Sequence, residues 1–311
     1  MKIKYLLFLW FFIKAHAFPI TYKIIPAKDA FLIGEPVLFT LAIINHTQEP
    51  LFISNWGDCV WKVVTHNPRV FIKKPGKKEE EILGHILRGI ELSKVLFSSP
   101  PSIEYLKLLP QDTVFLTSFY RKADVIGVWK LKSQFNLRVE NINTSSYILS
   151  SFADKHWKAW RRDYKNPTNK HMVYIYIFSL RDSSWIKVES LTLRYKKAYK
   201  DYLKYEKEEI SWKEYYKTHP DSPYLPYILY QEIIKAENQK EMEKMASLLT
   251  KNYSYTYWAK RINLVLGDRY FAYFNNKEKA KENYLKFIQK NPKSLDSFIL
   301  LKKMKKWGWI E

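Results

Sequence analysis

Hydrophobic positions between residues 18 and 195 follow a period near two, or run continuously over short stretches. Short apolar segments separated by turn-forming residues at regular spacing are typical of a β-sandwich or a barrel. The pattern predicts strands over residues 20–25, 29–34, 36–45, 51–54, 59–65, 113–120, 126–131, 171–180 and 185–194. The last of these alternates well between apolar and polar positions, so it is a candidate to complete a sheet.

Two segments interrupt this strand pattern, residues 66–103 and 141–170, and we expect both to be insertions. The first contains the charged run 73–81 (KKPGKKEEE), which predicts a solvated loop. The second contains a basic and aromatic stretch, residues 156–162 (HWKAWRR). Its two tryptophans are three residues apart, so a short helix would place both on one side.

From Tyr195 onward the spacing changes to the three- and four-residue rhythm of an amphipathic helix. Turn-forming residues recur near His219, Asn252 and Asn291, which are separated by 33 and 39 residues. A period of this length with two helices per unit predicts helical hairpins stacked as a solenoid. The sequence therefore predicts a multidomain protein, all-β over residues 18–195 and all-α over residues 196–311.

Several motifs in the first part resemble immunoglobulin-like domains of bacterial secreted proteins. Residues 33–37 (IGEPV), the apolar strand that follows them and the turn Asn45-x-Thr47 resemble one strand of such domains with its flanking turns. Residues 126–131 (IGVWKL) resemble the closing strand, with Trp129 in the place of a tyrosine. The resemblance implies an Ig-like β-sandwich over residues 18–195, and it implies no activity.

The last helical unit resembles a tetratricopeptide (TPR) repeat. Ala280, Tyr284 and Pro292 have the spacing of the small residue, the aromatic residue and the terminal proline of its second helix. Gly267 lies close to its expected place in the first helix, whereas residues 261–274 lack the early tryptophan. The resemblance, to a divergent TPR-like array, implies that these four residues pack the helices together. It also implies that the helices bind a peptide or a protein.

The N-terminal segment, residues 1–17, has the layout of a secretory signal peptide. It combines a basic start, an apolar run of nine residues and an Ala-x-Ala sequence that ends at Ala17. The run is too short to span a bilayer, which takes about 20 apolar residues. We therefore expect export, with a mature chain that begins at Phe18 and lies in the periplasm or outside the cell if the source is bacterial.

The charge of the chain bears on its partners. Its 311 residues include 52 lysines and arginines against 31 acidic residues, a net charge of +21. Because export argues against nucleic acid, the expected partners are a protein or peptide, or an anionic envelope polymer or membrane surface. The single cysteine, Cys59, excludes an internal disulfide and a cluster of cysteine ligands.

The sequence contains no catalytic or cofactor motif: no His-Glu-x-x-His, no Gly-x-Ser-x-Gly, no phosphate loop and no calcium loop. We therefore expect no enzyme activity, no cofactor and no metal. The candidate ligand-binding residues are Trp157, Trp160, Arg161 and Arg162, whose rings would stack on sugars or whose charges would meet lipid phosphates. The alternative is that the two tryptophans pack into the core.

The function hypothesis is an exported, non-enzymatic protein whose helical repeats bind a protein or peptide segment in the cell envelope. One alternative is a carbohydrate or cell-wall binding module that uses exposed tryptophans. A second is a hydrolase whose two carboxylates meet only in the fold.

Overall fold

The computed structural model describes residues 18–54, 69–82, 105–142, 147–162, 168 and 170–311. The expected signal peptide (1–17), Cys59 and the strand expected over residues 59–65 lie outside the described residues. Within them, strands precede residue 193 and helices follow it, apart from one short helix, α1 (Tyr147–Phe152). The coarse prediction of a β part followed by an α part is confirmed.

The first sheet has three antiparallel strands with β3 (Pro36–Asn45) in the centre. β3 pairs with β1 (Ile20–Pro26) on one side and with β8 (Thr113–Lys122) on the other. Nearly every residue of β3 is buried, on both faces, which is why its sequence is apolar without alternation. The predicted strands over residues 20–25, 36–45 and 113–120 are confirmed.

The second sheet is larger and is built around a long antiparallel pair, β9 (Gly127–Ile142) and β11 (Lys170–Glu189). The remaining strands of this sheet are β2 (Ala30–Leu32), β4 (Leu51–Ser54), β5 (Arg69–Lys73), β6 (Glu80–Glu81), β7 (Tyr105–Leu108) and β10 (Lys155–Arg162). All of their pairings are antiparallel except that of β2, which runs parallel to the end of β11.

The two sheets meet at Tyr22 of β1. Its ring lies 5.9 Å from the ring of Phe135 on β9, and its hydroxyl shares a 2.5 Å hydrogen bond with the hydroxyl of Ser133. Burial raises the pKa of the Tyr22 phenol, so this hydroxyl stays protonated and keeps its hydrogen bond to Ser133.

The prediction of two separate strands over residues 171–180 and 185–194 is wrong. β11 is one strand of 20 residues that ends at Glu189. The polar residues 181–184, which suggested a turn, stay in register opposite residues 131–134 of β9. Pairing to a long neighbouring strand keeps these polar residues extended, which the local sequence does not reveal.

The segments expected as insertions carry strands of the second sheet. β5 and β6 lie within residues 66–103, and β10 lies within residues 141–170. The prediction of a solvated charged run is wrong at Lys74, whose side chain is only 6% exposed. Its ammonium lies 2.9 Å from carboxylates of both Glu80 and Asp124 and 5.0 Å from the Trp129 ring centroid. Two counter-charges and an aromatic face compensate the burial of this lysine.

Seven helices form the rest of the described chain. They are α2 (Leu193–Glu206), α3 (Trp212–Thr218), α4 (Leu225–Lys235), α5 (Gln239–Asn252), α6 (Tyr257–Ala272), α7 (Lys277–Lys290) and α8 (Leu295–Lys306). Each helix contacts the next along the chain from α2 to α8, and α4 also contacts α6. Among the described residues, no helix has both the length and the apolar composition needed to cross a membrane.

The helix boundaries follow from local capping. Asn238, Thr256, Asn276 and Ser294 each precede a helix, and their side chains accept a hydrogen bond from a backbone N–H of the first turn. Such a cap stabilises a helix start by about 1 kcal/mol. Of these caps, Ser294 falls in a turn that the sequence predicts, the one near Asn291.

The helices contact the sheets in two places. In the first, which we call the tyrosine contact, Gly34 before β3 meets the ring of Tyr199 on α2, and the Tyr224 hydroxyl donates to the Ile33 carbonyl at 2.8 Å. In the second, which we call the strand contact, the Phe115 N–H donates to the Lys293 carbonyl at 2.9 Å. There the ammonium of Lys293 also lies 2.6 Å from the Asp112 carboxylate.

Candidate binding site

A cavity of about 530 Å³ opens where the end of α2 meets α3 and α4. Its aromatic wall is formed by Tyr202, Tyr205, Trp212 and Tyr227. Three carboxylates line it as well, those of Glu206, Glu208 and Glu232. The cavity therefore joins aromatic rings to acidic groups in a chain whose overall charge is +21.

Helical periodicity brings the α2 side of the cavity together. Tyr202 and Glu206 are four residues apart, and Tyr202 and Tyr205 are three apart, so successive turns of α2 place all three on neighbouring positions of one face. The α4 side contributes Tyr227 and Glu232. The first residue of α3, Trp212, also lines the cavity.

The turn between α2 and α3 positions Glu208 at the cavity. This residue has φ = 61°, in the left-handed region that residues other than glycine seldom adopt. Such a conformation costs about 1 kcal/mol or more. Two backbone bonds hold the turn, from the N–H of Glu208 to the Tyr205 carbonyl and from the N–H of Glu209 to the Lys204 carbonyl, both 2.9 Å.

A capping box then starts α3. The Ser211 hydroxyl accepts from the backbone N–H of Glu214, and the Glu214 carboxylate accepts from the backbone N–H of Ser211 at 2.8 Å. These bonds hold the pKa of Glu214 below its usual value, so the carboxylate stays charged. Fixing this helix start also fixes Trp212, the next residue after Ser211.

Tyrosine hydroxyls hold two of the three carboxylates. The Tyr202 hydroxyl donates to Oε1 of Glu206 at 2.7 Å, and the Tyr205 hydroxyl donates to Oε1 of Glu232 at 2.6 Å. Burial, and then the bonded carboxylate, raise the pKa of each tyrosine, so both phenols remain donors at any physiological pH. The second oxygen of each carboxylate is left to accept from another group.

On Glu206 that second oxygen pairs with a cation from the first sheet. The ammonium of Lys122 on β8 bonds Oε2 of Glu206, and it lies 5.2 Å from the ring centroid of Tyr202. The lysine is therefore held by a charge pair and by the face of an aromatic ring at the same time. The Tyr202 ring in turn stacks on Tyr224 at 4.8 Å, which connects the cavity wall to the tyrosine contact.

Of the four expected ligand-binding residues, Trp157, Trp160, Arg161 and Arg162, only Trp160 has a side chain that the structure describes, and it does not line this cavity. All four lie on β10, which pairs with β11, and not on a helix. The short helix that would place the two tryptophans on one side therefore does not form. The Trp160 side chain is 65% exposed.

Of the four expected packing residues, Gly267 and Tyr284 contact each other and Ala280 is buried. A Cβ atom on Gly267 of α6 would lie 2.4 Å from the Tyr284 ring of α7, so the two helices approach too closely for any side chain at that position. Tyr284 and Ala280 are fully buried, and the Tyr284 hydroxyl donates to Asp268 at 2.9 Å. Pro292 lies in the turn between α7 and α8.

A serine, a histidine and an aspartate lie near one another beside α2, the arrangement in the helical part that most resembles a hydrolase site. Nε2 of His219 lies 2.8 Å from Asp201, and this contact holds the pKa of Asp201 below its usual value. Ser222, however, is buried and shares its hydrogen bond with Tyr215, not with His219. The described residues also contain no group of acidic, histidine and cysteine side chains placed to hold a metal.

Sequence reasoning did not identify the cavity. Its Tyr202–Glu206 pair carries a local signal, because the two residues are four apart in a predicted helix. The Tyr205–Glu232 pair carries none, since 27 residues and two helix boundaries separate its members.

No protein-family model matches the chain, and no curated protein matches its sequence. The geometry of the cavity is therefore the basis on which a function is argued.

Proposed function

We propose that this chain is an exported, non-enzymatic binding protein whose helical part holds a segment of another protein or a peptide. The observation that carries the proposal is the cavity between α2, α3 and α4. Aromatic walls with a few oriented polar groups are typical of recognition sites, and the tyrosine-held carboxylates supply such groups here.

The proposal includes the finer architecture that the sequence suggests. The two sheets would form an immunoglobulin-like sandwich, and α4 to α7 would form divergent TPR-like hairpins. In support, the close approach of α6 and α7 at Gly267 and Tyr284 is the packing that a small residue opposite an aromatic residue provides. Stacked hairpins of this kind present extended surfaces to peptides.

The proposed location rests on residues 1–17, whose composition fits a signal peptide. Removal of residues 1–17, which contain three lysines and no acidic residue, would take the net charge from +21 to +18, and a protein so basic would attract acidic partners in the cell envelope. The sheets would then position the helical part, through the tyrosine contact and the strand contact, for the bound segment.

A random-peptide display selection on the purified protein tests the proposal. We expect a family of related peptides to be enriched, and their binding to be lost when Gln231→Trp fills the cavity. The same change at Gln289, an exposed residue of α7, is the matched control and should leave binding intact. Peptides that bind both variants equally, or no enrichment at all, would overturn the proposal.

The carbohydrate alternative has one observation in its favour, the exposure of Trp160 at 65% and of Trp185 at 58% on the second sheet. Exposed rings of this kind stack on sugars. Retention of the protein on cell-wall polysaccharide, abolished by Trp160→Ala with no change in thermal stability, would support this alternative over the peptide hypothesis.

A further inference from the structure

We propose that the cavity binds the side-chain ammonium of a lysine, taken up by the Tyr205–Glu232 pair. The inference rests on the proposed function, because the lysine would belong to the bound protein or peptide segment. It follows from how this same molecule holds two of its own lysines.

The first internal example is Lys122, described above. Its ammonium bonds a carboxylate, that of Glu206, which accepts a hydrogen bond from the hydroxyl of Tyr202. The same ammonium lies over the Tyr202 ring. One tyrosine thus acts twice, orienting the carboxylate through its hydroxyl and attracting the cation through its ring.

The second internal example lies between α5, α6 and α7. The Tyr270 hydroxyl donates to Oε1 of Glu243 at 2.5 Å, and the Lys279 ammonium lies 2.7 Å from that oxygen. The ammonium is also 5.3 Å from the Tyr270 ring centroid. These contacts, led by the bond from Lys279, lower the pKa of Glu243 to about 2. Two separate sites in the chain therefore use one tyrosine, one glutamate and one lysine in the same way.

The third tyrosine–glutamate pair has the first two members of this arrangement. Tyr205 donates to Glu232 at 2.6 Å, across two helices, as Tyr270 does to Glu243. Within the described residues Glu232 makes no ion pair with a lysine or an arginine. Lys235 lies one helical turn away and also lines the cavity, yet its ammonium is not paired with Glu232. Each of the other two pairs holds a lysine of the chain, whereas this pair lines the cavity without one in the described part of the structure.

The surroundings of the pair favour a cation on an alkyl chain. The rings of Trp212 and Tyr227 provide apolar surface for the methylene groups of a lysine, and Glu208 adds a second negative charge at the cavity. A volume of about 530 Å³ accommodates one such side chain together with part of its backbone.

The rest of the protein restricts which lysine would bind. With a net charge of +21, the chain repels a strongly basic segment at a distance. We therefore assign the occupant as a single lysine within a neutral or acidic segment. Its ammonium would bind the carboxylates of the cavity, while the acidic residues of the segment would be attracted by the net positive charge of the chain.

The test uses Nα-acetyl-lysine methylamide, in which the side-chain ammonium is free. The neutral probe of similar shape is Nα-acetyl-norleucine methylamide. Binding to the full chain is followed by fluorine NMR of the protein labelled with 5-fluorotryptophan, with the Trp212 signal assigned by Trp212→Phe. We expect the lysine probe to bind with a dissociation constant on the order of 1 mM and the norleucine probe about tenfold more weakly.

Glu232→Gln keeps the shape of the side chain and its bond from Tyr205, and it should weaken lysine binding about tenfold. Glu237→Gln, at an exposed position two residues after α4, also removes one negative charge and should leave the binding of the lysine probe unchanged. Equal binding of the two probes, or unchanged lysine binding in Glu232→Gln, would overturn the inference.

The two proposals fail differently. If peptides selected on the protein lose binding in Gln231→Trp but need no lysine, the peptide-binding function stands and the lysine inference is wrong. If the lysine probe binds through Glu232 while no peptide is selected, the lysine site stands and the peptide-binding function is wrong.

Discussion

The two places where the helices meet the sheets are built on different physical principles. The tyrosine contact is buried and depends on shape: Tyr199, Tyr202 and Tyr224 pack together beside Gly34, with ring centroids 4.8–6.4 Å apart. The strand contact is more exposed and depends on one backbone hydrogen bond and one ion pair. The contrast implies that close packing carries most of the coupling between the two parts, and that the polar contact adds to it weakly.

The largest expected effect follows from Gly34→Ala. The added Cβ would lie 2.2 Å from Cε2 of Tyr199, and the residue has φ = +87°, which an alanine adopts with strain. Tyr199 cannot move aside freely because it packs against Tyr202 and Tyr224. We expect a loss of about 3 kcal/mol in the free energy of unfolding, measured by urea denaturation.

Gly76→Ala is the matched control for this change. Gly76 also has a positive φ, +65°, but no heavy atom lies within 4 Å of the position that its Cβ would take. Gly76→Ala should therefore lower the free energy of unfolding only through the strain of an alanine at positive φ, by about 1 kcal/mol. Equal losses in the two variants would mean that the tyrosine contact tolerates the extra atom and that packing there is not the source of the coupling.

A smaller effect is expected from Tyr224→Phe. The change keeps the ring stacked on Tyr202 but removes the hydroxyl that donates to the Ile33 carbonyl at 2.8 Å. We expect a loss of about 1–2 kcal/mol, from the bond and from the carbonyl left without a donor. Tyr255→Phe, at a position 75% exposed, should leave the free energy of unfolding unchanged. A loss in Tyr224→Phe no larger than in this control would show that water replaces the hydroxyl at no cost.

Much of the fold is predictable from local signals. The mainly apolar run over residues 36–45 predicts a strand, and the structure has β3 there, buried on both faces. The helical rhythm after Tyr195 predicts the change from strands to helices, and the structure has α2 to α8 in that part of the chain. These signals work because secondary structure and capping depend on residues close in sequence.

The elements that sequence reasoning missed depend on distant partners. Residues 155–162 form a strand because β11 pairs with all of them, and residues 181–184 stay extended because β9 does. The cavity forms where α2, α3 and α4 converge, and the 27 residues between Tyr205 and Glu232 hide that pair from any local pattern. The sequence places Gly34 in a motif before β3, but no local pattern indicates that it packs against Tyr199, 165 residues later.

The smallest expected effect lies at the strand contact. Lys293→Ala removes the ammonium that pairs with Asp112 at 2.6 Å but leaves the backbone bond from Phe115 to residue 293. Because the ion pair is partly exposed, we expect a loss below about 1 kcal/mol at pH 7 and low salt. Lys260→Ala, an exposed lysine of α6, is the control for removing a positive charge from this basic chain.

The pH dependence of that small loss tests its origin. The bond from Lys293 lowers the pKa of Asp112 in the folded protein, so the pair stabilises the fold above the ordinary pKa of an aspartate, about 4. As the pH falls through the lowered folded value, Asp112 is protonated and the stabilisation is lost. The difference in unfolding free energy between the parent chain and Lys293→Ala should therefore shrink as the pH is lowered below 4, and shrink likewise in high salt at pH 7. A difference that persists under both conditions would mean that Lys293 acts through the packing of its methylene groups, and the strand contact would then resemble the tyrosine contact in kind.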